Sequence, residues 1–66
     1  MKNSIRVERA VLNITQEELA VRVKVSRQTI NAMEAGKYVP SSVLAMKIAR
    51  VFNKKVEEVF FLEESD

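Results

Sequence analysis

Residues Gln16–Met33, QEELAVRVKVSRQTINAM, hold two short stretches of helical periodicity joined by about three residues. Their apolar positions are Leu19, Val23, Val25, Ile30 and Met33. The layout is that of a helix-turn-helix, a unit whose second helix enters the DNA major groove. Ala20 stands where the two helices would cross, and a small residue there lets their backbones approach while Val25 and Ile30 pack beneath. Any tight helical hairpin asks for a small residue at its crossing, so the spacing favours the motif without settling it.

The rest of the chain reads as helix as well. One Gly and one Pro in 66 residues, with apolar residues recurring at three and four, predict an all-α domain. A first helix is expected from about Asn3 to Leu12, closed by Asn13 in a left-handed cap. Thr15-Gln16-Glu17-Glu18 fits a capping box opening a second helix that ends near Val23, and its two carboxylates suit the positive end of the helix dipole. Ser26 caps a third helix that runs through Ala35 to Gly36. Lys37–Pro40 is a turn. A fourth helix begins at Ser41 or Ser42, buries Leu44, Ala45, Ile48, Ala49 and Phe52, and ends at Asn53. A short fifth helix is expected over Val56–Phe60. Residues 1–62 thus form one domain, and the acidic residues 63–66 read as a frayed tail.

Composition narrows the chemistry. There is no Cys and no His, which removes disulfides, thiolate metal sites and the commonest general base. Asp and Glu form no convincing catalytic constellation, so neither an enzyme nor a cofactor is expected. No signal-peptide pattern is present and no apolar run approaches about 18 residues, so the expectation is a soluble, cytoplasmic chain without a membrane partner. The net charge of +2 hides an uneven distribution. Residues 1–55 carry all 11 Lys and Arg against four acids, a net +7, whereas residues 56–66 carry five acids and no base. A basic body with an acidic end suits an anionic partner on one side, although basic side chains also simply solvate helices.

The third helix carries the sharper signal. Its exposed face is expected to present Arg27, Gln28, Asn31 and Thr29, with no acid before Glu34. Arg pairs bidentately with guanine O6 and N7, and Gln or Asn with adenine N6 and N7. These four are the candidate base-reading residues, with double-stranded DNA as the partner. Gln16 at the start of the second helix, Ser26 at the cap of the third, and Lys37 and Tyr38 after it are candidates for phosphate contact, which positions without specifying sequence. For Tyr38, a ring packed on the surface with its hydroxyl in water is an equal alternative. Arg9 and Glu34 are a candidate ion pair tying the first helix to the third.

TQEELA, SRQTI, EAGKYVPS and LAMKIARVF closely resemble the Cro/repressor-type (XRE) helix-turn-helix family of phage, bacterial and archaeal regulators, over roughly Ile5–Phe60. The resemblance implies a compact lambda-repressor-like bundle of five helices that binds a two-fold symmetric operator as a dimer. By position, Gln16 matches the family's phosphate-contacting Gln, and Arg27, Gln28, Thr29 and Asn31 fall on its base-reading positions. Lys37 falls where the family touches backbone, and Arg9 and Glu34 match a pair often salt-bridged in relatives. Three residues depart from the pattern. Lys24 occupies a turn position where most members have Gly. Glu8 stands where many have an apolar residue, which implies a rotated or shifted first helix. Ala32 lacks a polar group some relatives use to read a further base.

Val59-Phe60-Phe61-Leu62 sets four apolar residues in a row near the end of a small domain. These are the candidate homodimer interface, since exposed apolar patches often mark contact surfaces; folding them onto the monomer is the alternative. The functional expectation is a sequence-specific transcriptional regulator, a repressor or autoregulator. The alternatives are an antitoxin using the same head with a toxin partner, and a helical interaction module that never meets DNA.

Overall fold

The computed structural model describes all residues, Met1–Asp66. Five helices follow one another: α1 Ile5–Leu12, α2 Gln16–Val23, α3 Arg27–Glu34, α4 Ser42–Val51 and α5 Val56–Val59. Two very short strands, β1 Lys2–Asn3 and β2 Phe60–Phe61, pair antiparallel with Lys2 opposite Phe61 and Asn3 opposite Phe60. The molecule is the expected all-α bundle, with the chain ends clasped by this two-residue ladder. No helix is long and apolar enough to cross a membrane.

The helix starts follow the expected chemistry with one exception. Thr15 Oγ1 accepts from the Glu18 N–H at 3.0 Å while the Glu18 carboxylate accepts from the Thr15 N–H at 3.0 Å, completing the capping box. Ser26 Oγ accepts from the Thr29 N–H at 3.2 Å, and Ser41 Oγ from the Leu44 N–H at 3.2 Å. The first helix starts at Ile5 instead of Asn3. Asn3 is extended in β1, its Oδ1 accepts from the Ile5 N–H at 3.2 Å, and its Nδ2 donates to the Met33 carbonyl at 2.7 Å. One amide thereby caps α1 and ties it to the Met33 carbonyl near the end of α3, which also accepts from the Gly36 N–H at 3.0 Å.

The helix ends share one device. Asn13, Lys24, Gly36 and Asn53 all have positive φ, at 57°, 62°, 75° and 55°. In each case the following residue reaches back in a six-to-one bond: Ile14 to Arg9, Val25 to Ala20, Lys37 to Ala32 and Lys54 to Ala49, all at 2.9–3.0 Å. This is the Schellman closure. Three of the four residues are the Asn or Gly that it favours. Lys24 is not, and a left-handed lysine costs about 1–2 kcal/mol.

Ile5, Leu19, Ile30, Met33, Ile48, Val23 and Val59 are fully buried at the centre of one core. Ala20, Ala45 and Ala49 line the crossings, and Ile14, Leu44, Phe52 and Phe60 close the edges. The core fixes α3 against α2, and α2 against α4. Val59 and Phe60 are therefore core residues, with 0% and 7% of their surface exposed, and their side chains are unavailable to a partner. The chain leaves α5 at Phe60 in an extended conformation, φ −117° and ψ 135°, so alternate side chains of β2 point to opposite sides. Phe60 faces in, while Phe61 is 43% exposed and Leu62 83% exposed.

The C-terminal residues also depart from expectation. Instead of fraying, Glu63–Asp66 form a turn in which Asp66 Oδ2 accepts from the Glu63 N–H at 2.8 Å. Both carboxylates meet the terminal ammonium of Met1 at 3.2 Å. The ladder between β1 and β2 brings the two chain ends together, and their opposite charges then pair.

Candidate nucleic-acid interface

The α3 helix presents its outer face from a fixed base. Ile30 and Met33 are wholly buried, and Arg27, Gln28 and Asn31 project to solvent on the other side. Arg27 and Gln28 make no side-chain hydrogen bond or ion pair within the chain, so their donors and acceptors are free. Thr29 is half-buried, and its hydroxyl shares a 3.0 Å hydrogen bond with Ser26 Oγ. The Ser26 hydroxyl serves two local partners, the Thr29 N–H and the Thr29 hydroxyl. Lys37 and Tyr38 are exposed beyond the end of α3, with no side-chain partner.

Beneath this face lies a polar network that links three helices. Glu34, near the end of α3, has only 2% of its side chain exposed. Arg9 of α1 grips it with two bonds, Nε to Oε2 at 2.6 Å and Nη2 to Oε1 at 3.1 Å, and gives its third donor, Nη1, to the Ile14 carbonyl at 3.1 Å. Arg6 Nε stands 3.7 Å from the same carboxylate. A bidentate fork of this kind holds the orientation of both partners as well as their distance. Burial alone would push the Glu34 carboxyl up, but the hydrogen bonds from Arg9 and Gln16 outweigh it and hold the group below its ordinary value. The Arg9 guanidinium is correspondingly raised by its bonds to Glu34.

Gln16 joins the network from α2. Its Nε2 donates to Glu34 Oε1 at 3.2 Å and to Asn31 Oδ1 at 3.3 Å. The sequence places Gln16 at the helix start without revealing these bonds, because they depend on how α2 crosses α3. Asn31, read from sequence as a free side chain, is thus in contact with the buried network, while Arg27 and Gln28 stand clear of it.

Glu8 is the one charged residue that packs into the core's edge. It is buried, 8% exposed, with Lys54 Nζ 2.7 Å from its Oε2. Val7 beside it faces solvent. The first helix is therefore not rotated: Glu8 keeps the inward position where many of the family carry an apolar residue, and its charge is met by Lys54 instead. No cluster of three or more Asp and Glu side chains is arranged to hold a metal ion.

The sequence profile of the helix-turn-helix family matches residues 5–59, spanning α1 to α5. The chain belongs to this family, of the Cro/repressor (XRE) type. Among its relatives, an HTH-type transcriptional regulator of Methanocaldococcus jannaschii is 52% identical over the full length of both chains. One from Archaeoglobus fulgidus is 54% identical over all of this chain and 93% of its own length. The HTH-type transcriptional regulator YgzD of Bacillus subtilis is 48% identical, again over both full lengths.

Proposed function

We propose that the protein is a cytoplasmic, sequence-specific DNA-binding regulator of transcription, acting as a repressor or autoregulator. Its α3 helix enters the major groove, where Arg27, Gln28, Thr29 and Asn31 meet base edges. Ser26, Lys37 and Tyr38 hold the flanking phosphates, and Gln16 does so through its backbone N–H at the start of α2, its side-chain NH2 being given to Glu34 and Asn31. The observation that carries this reading is the free, donor-rich face of α3, set on a helix whose two ends are fixed by the Ser26 cap and the Arg9–Glu34 fork. The excess of base over acid in residues 1–55 supports it, since phosphate neutralisation dominates such affinity. The relatives' regulator names agree with it.

A homodimer on a palindromic operator follows in the same reading, with half-sites about 34–36 Å apart. Phe61 and Leu62 are the exposed apolar residues that the interface would cover.

Selection from a random duplex pool, then titration of the winner against scrambled DNA at physiological salt, tests the proposal. A palindromic winner bound about a thousandfold tighter or more is expected. Equal, weak binding to both would overturn it. Within the interface, Arg27→Ala should cost about 1–3 kcal/mol on the preferred site and relax choice at one base pair. Lys37→Ala should weaken all sequences alike and lower the salt slope by about one. Uniform losses from both variants would remove Arg27 from base reading.

A further inference from the structure

Resting on the reading that α3 lies in the major groove, we infer that Glu34 and Gln16 are positioning residues that fix the polarity of Asn31, so that Asn31 selects guanine over adenine. Glu34 is held ionised by the Arg9 fork at 2.6 and 3.1 Å, with Arg6 also facing it. An ionised carboxylate only accepts. Gln16 must therefore turn its NH2 group, not its carbonyl, toward Glu34, as its 3.2 Å bond requires. That NH2 has a second hydrogen, and it points at Asn31 3.3 Å away. A donor there demands an oxygen, so Asn31 turns Oδ1 inward to Gln16 and Nδ2 outward.

The consequence is chemical. A bidentate Asn–adenine pair uses both ends of the amide, Nδ2 donating to N7 and Oδ1 accepting from N6. Asn31 spends one of the two lone pairs of Oδ1 on Gln16, and that bond turns the oxygen inward, away from the outward Nδ2. What remains outward is a pair of N–H donors. Guanine offers two acceptors, O6 and N7, on its major-groove edge. Adenine offers one acceptor beside an N–H2 donor, which opposes a second donor. The unused face of Asn31 thus matches guanine, and a charge buried in the α1–α3 junction reaches the base through two amides.

Selection with the full chain and with Asn31→Ala locates the base pair whose preference depends on Asn31. Dissociation constants for all four bases at that pair then give the answer, at one salt concentration. The wild-type chain should favour guanine over adenine by about fivefold or more. Gln16→Met, which removes the donor to Asn31 while leaving the Arg9–Glu34 fork in place, frees the amide to flip. It should narrow that ratio to within about twofold without changing the preference at the base read by Arg27. Asn31→Asp, an acceptor only, should move the preference at this pair toward cytosine. An unaltered circular dichroism spectrum and urea midpoint establish that Gln16→Met is folded, so that an unchanged ratio counts against the inference.

Adenine preferred over guanine by the wild-type chain overturns the inference. So does a guanine-to-adenine ratio unchanged in Gln16→Met, or an Asn31→Ala variant whose selected site matches the wild type at every position. In those cases sequence-specific binding through Arg27 and Gln28 still stands. Absence of any preferred sequence overturns the proposed function as well.

Discussion

Glu8 and Arg9 are neighbours in α1, and each ties the helix to another element through an ion pair, but the two ties are built differently. Arg9 gives one hydrogen bond from each of its three nitrogens to protein acceptors, and its partner Glu34 is 2% exposed and also receives Gln16. Glu8 meets a single ammonium, Lys54 Nζ at 2.7 Å, and that lysine is 42% exposed. The first is a multiply bonded junction beneath the candidate reading helix. The second is a carboxylate at the rim of the core, neutralised by a cation that stays in water. A buried charge is tolerated only when paired and hydrogen-bonded, and these pairs meet that demand by two routes. Geometry satisfies the one and solvent the other. Position follows role: the junction under α3 is the one whose orientation matters for a ligand.

The largest test of this difference is to remove one partner. Glu34→Ala leaves the Arg9 guanidinium without its fork and Gln16 without its acceptor, and should cost about 3 kcal/mol, seen as a lowered urea midpoint at unchanged slope. Replacing both, Arg9→Met with Glu34→Leu, should recover most of that loss, because the cost lies in the stranded charge. A loss no larger than that of an exposed pair, below about 1 kcal/mol, would erase the distinction between the two junctions.

The same junction should shape the acid limb of stability. The Glu34 carboxyl lies below its ordinary value of 4.5: burial raises it, and the bonds from Arg9 and Gln16 more than offset that. A group lowered in the folded state contributes stability that is complete above its unfolded value and lost as pH falls through the folded one. Denaturation free energy measured downward from about pH 6 should therefore fall more steeply for the wild type than for the Arg9→Met, Glu34→Leu variant. Glu18 and Asp66 are lowered too, by the N–H groups of Thr15 and Glu63 first of all, so the variant keeps part of the slope. Parallel acid limbs would show that the fork adds nothing on folding.

At the other junction the expected effects are smaller. Lys54→Ala should lower the urea midpoint by less than Glu34→Ala does, because the stranded Glu8 carboxylate lies close enough to the surface to recover some water. Glu8→Leu should be neutral or stabilising, since the side chain already faces the core and Lys54 is free to hydrate. A Glu8→Leu variant that unfolds more readily than Lys54→Ala would make Glu8 a true anchor and reverse the comparison.

The two junctions also differ in how far they could be read from the chain. The helices, their caps and the stripe Leu44–Phe52 follow from local periodicity and capping chemistry, which sequence carries directly. The Arg9–Glu34 pair was accessible through the family pattern. Glu8–Lys54 was not, because periodic reading assigns a carboxylate to the surface and its partner lies 46 residues away. The bonds of Gln16 to Glu34 and Asn31 escaped for a related reason: they exist only once α2 crosses α3. Val59–Leu62 misled because an apolar run does not say where a helix gives way to strand. The change at Phe60 sends Val59 and Phe60 inward and leaves only Phe61 and Leu62 outside. The β1–β2 ladder has two residues per strand, too few for any alternation to register.

The finest discrimination between the junctions is their response to salt. The Debye length falls from about 10 Å at 0.1 M to about 3 Å at 1 M ionic strength, and screening reaches only charges that ions can approach. Lys54 is open to solvent and Glu34 is not. Double-mutant cycles separate the pair from the side effects of each substitution. The Glu8–Lys54 coupling, the weaker of the two at 0.1 M, should approach zero at 1 M. The Arg9–Glu34 coupling should change by less than about a third, since its attraction acts across a fork closed to water. Equal fractional losses would mean that both junctions are hydrated alike, and that the polarity of the α3 face rests on a contact that solvent can loosen.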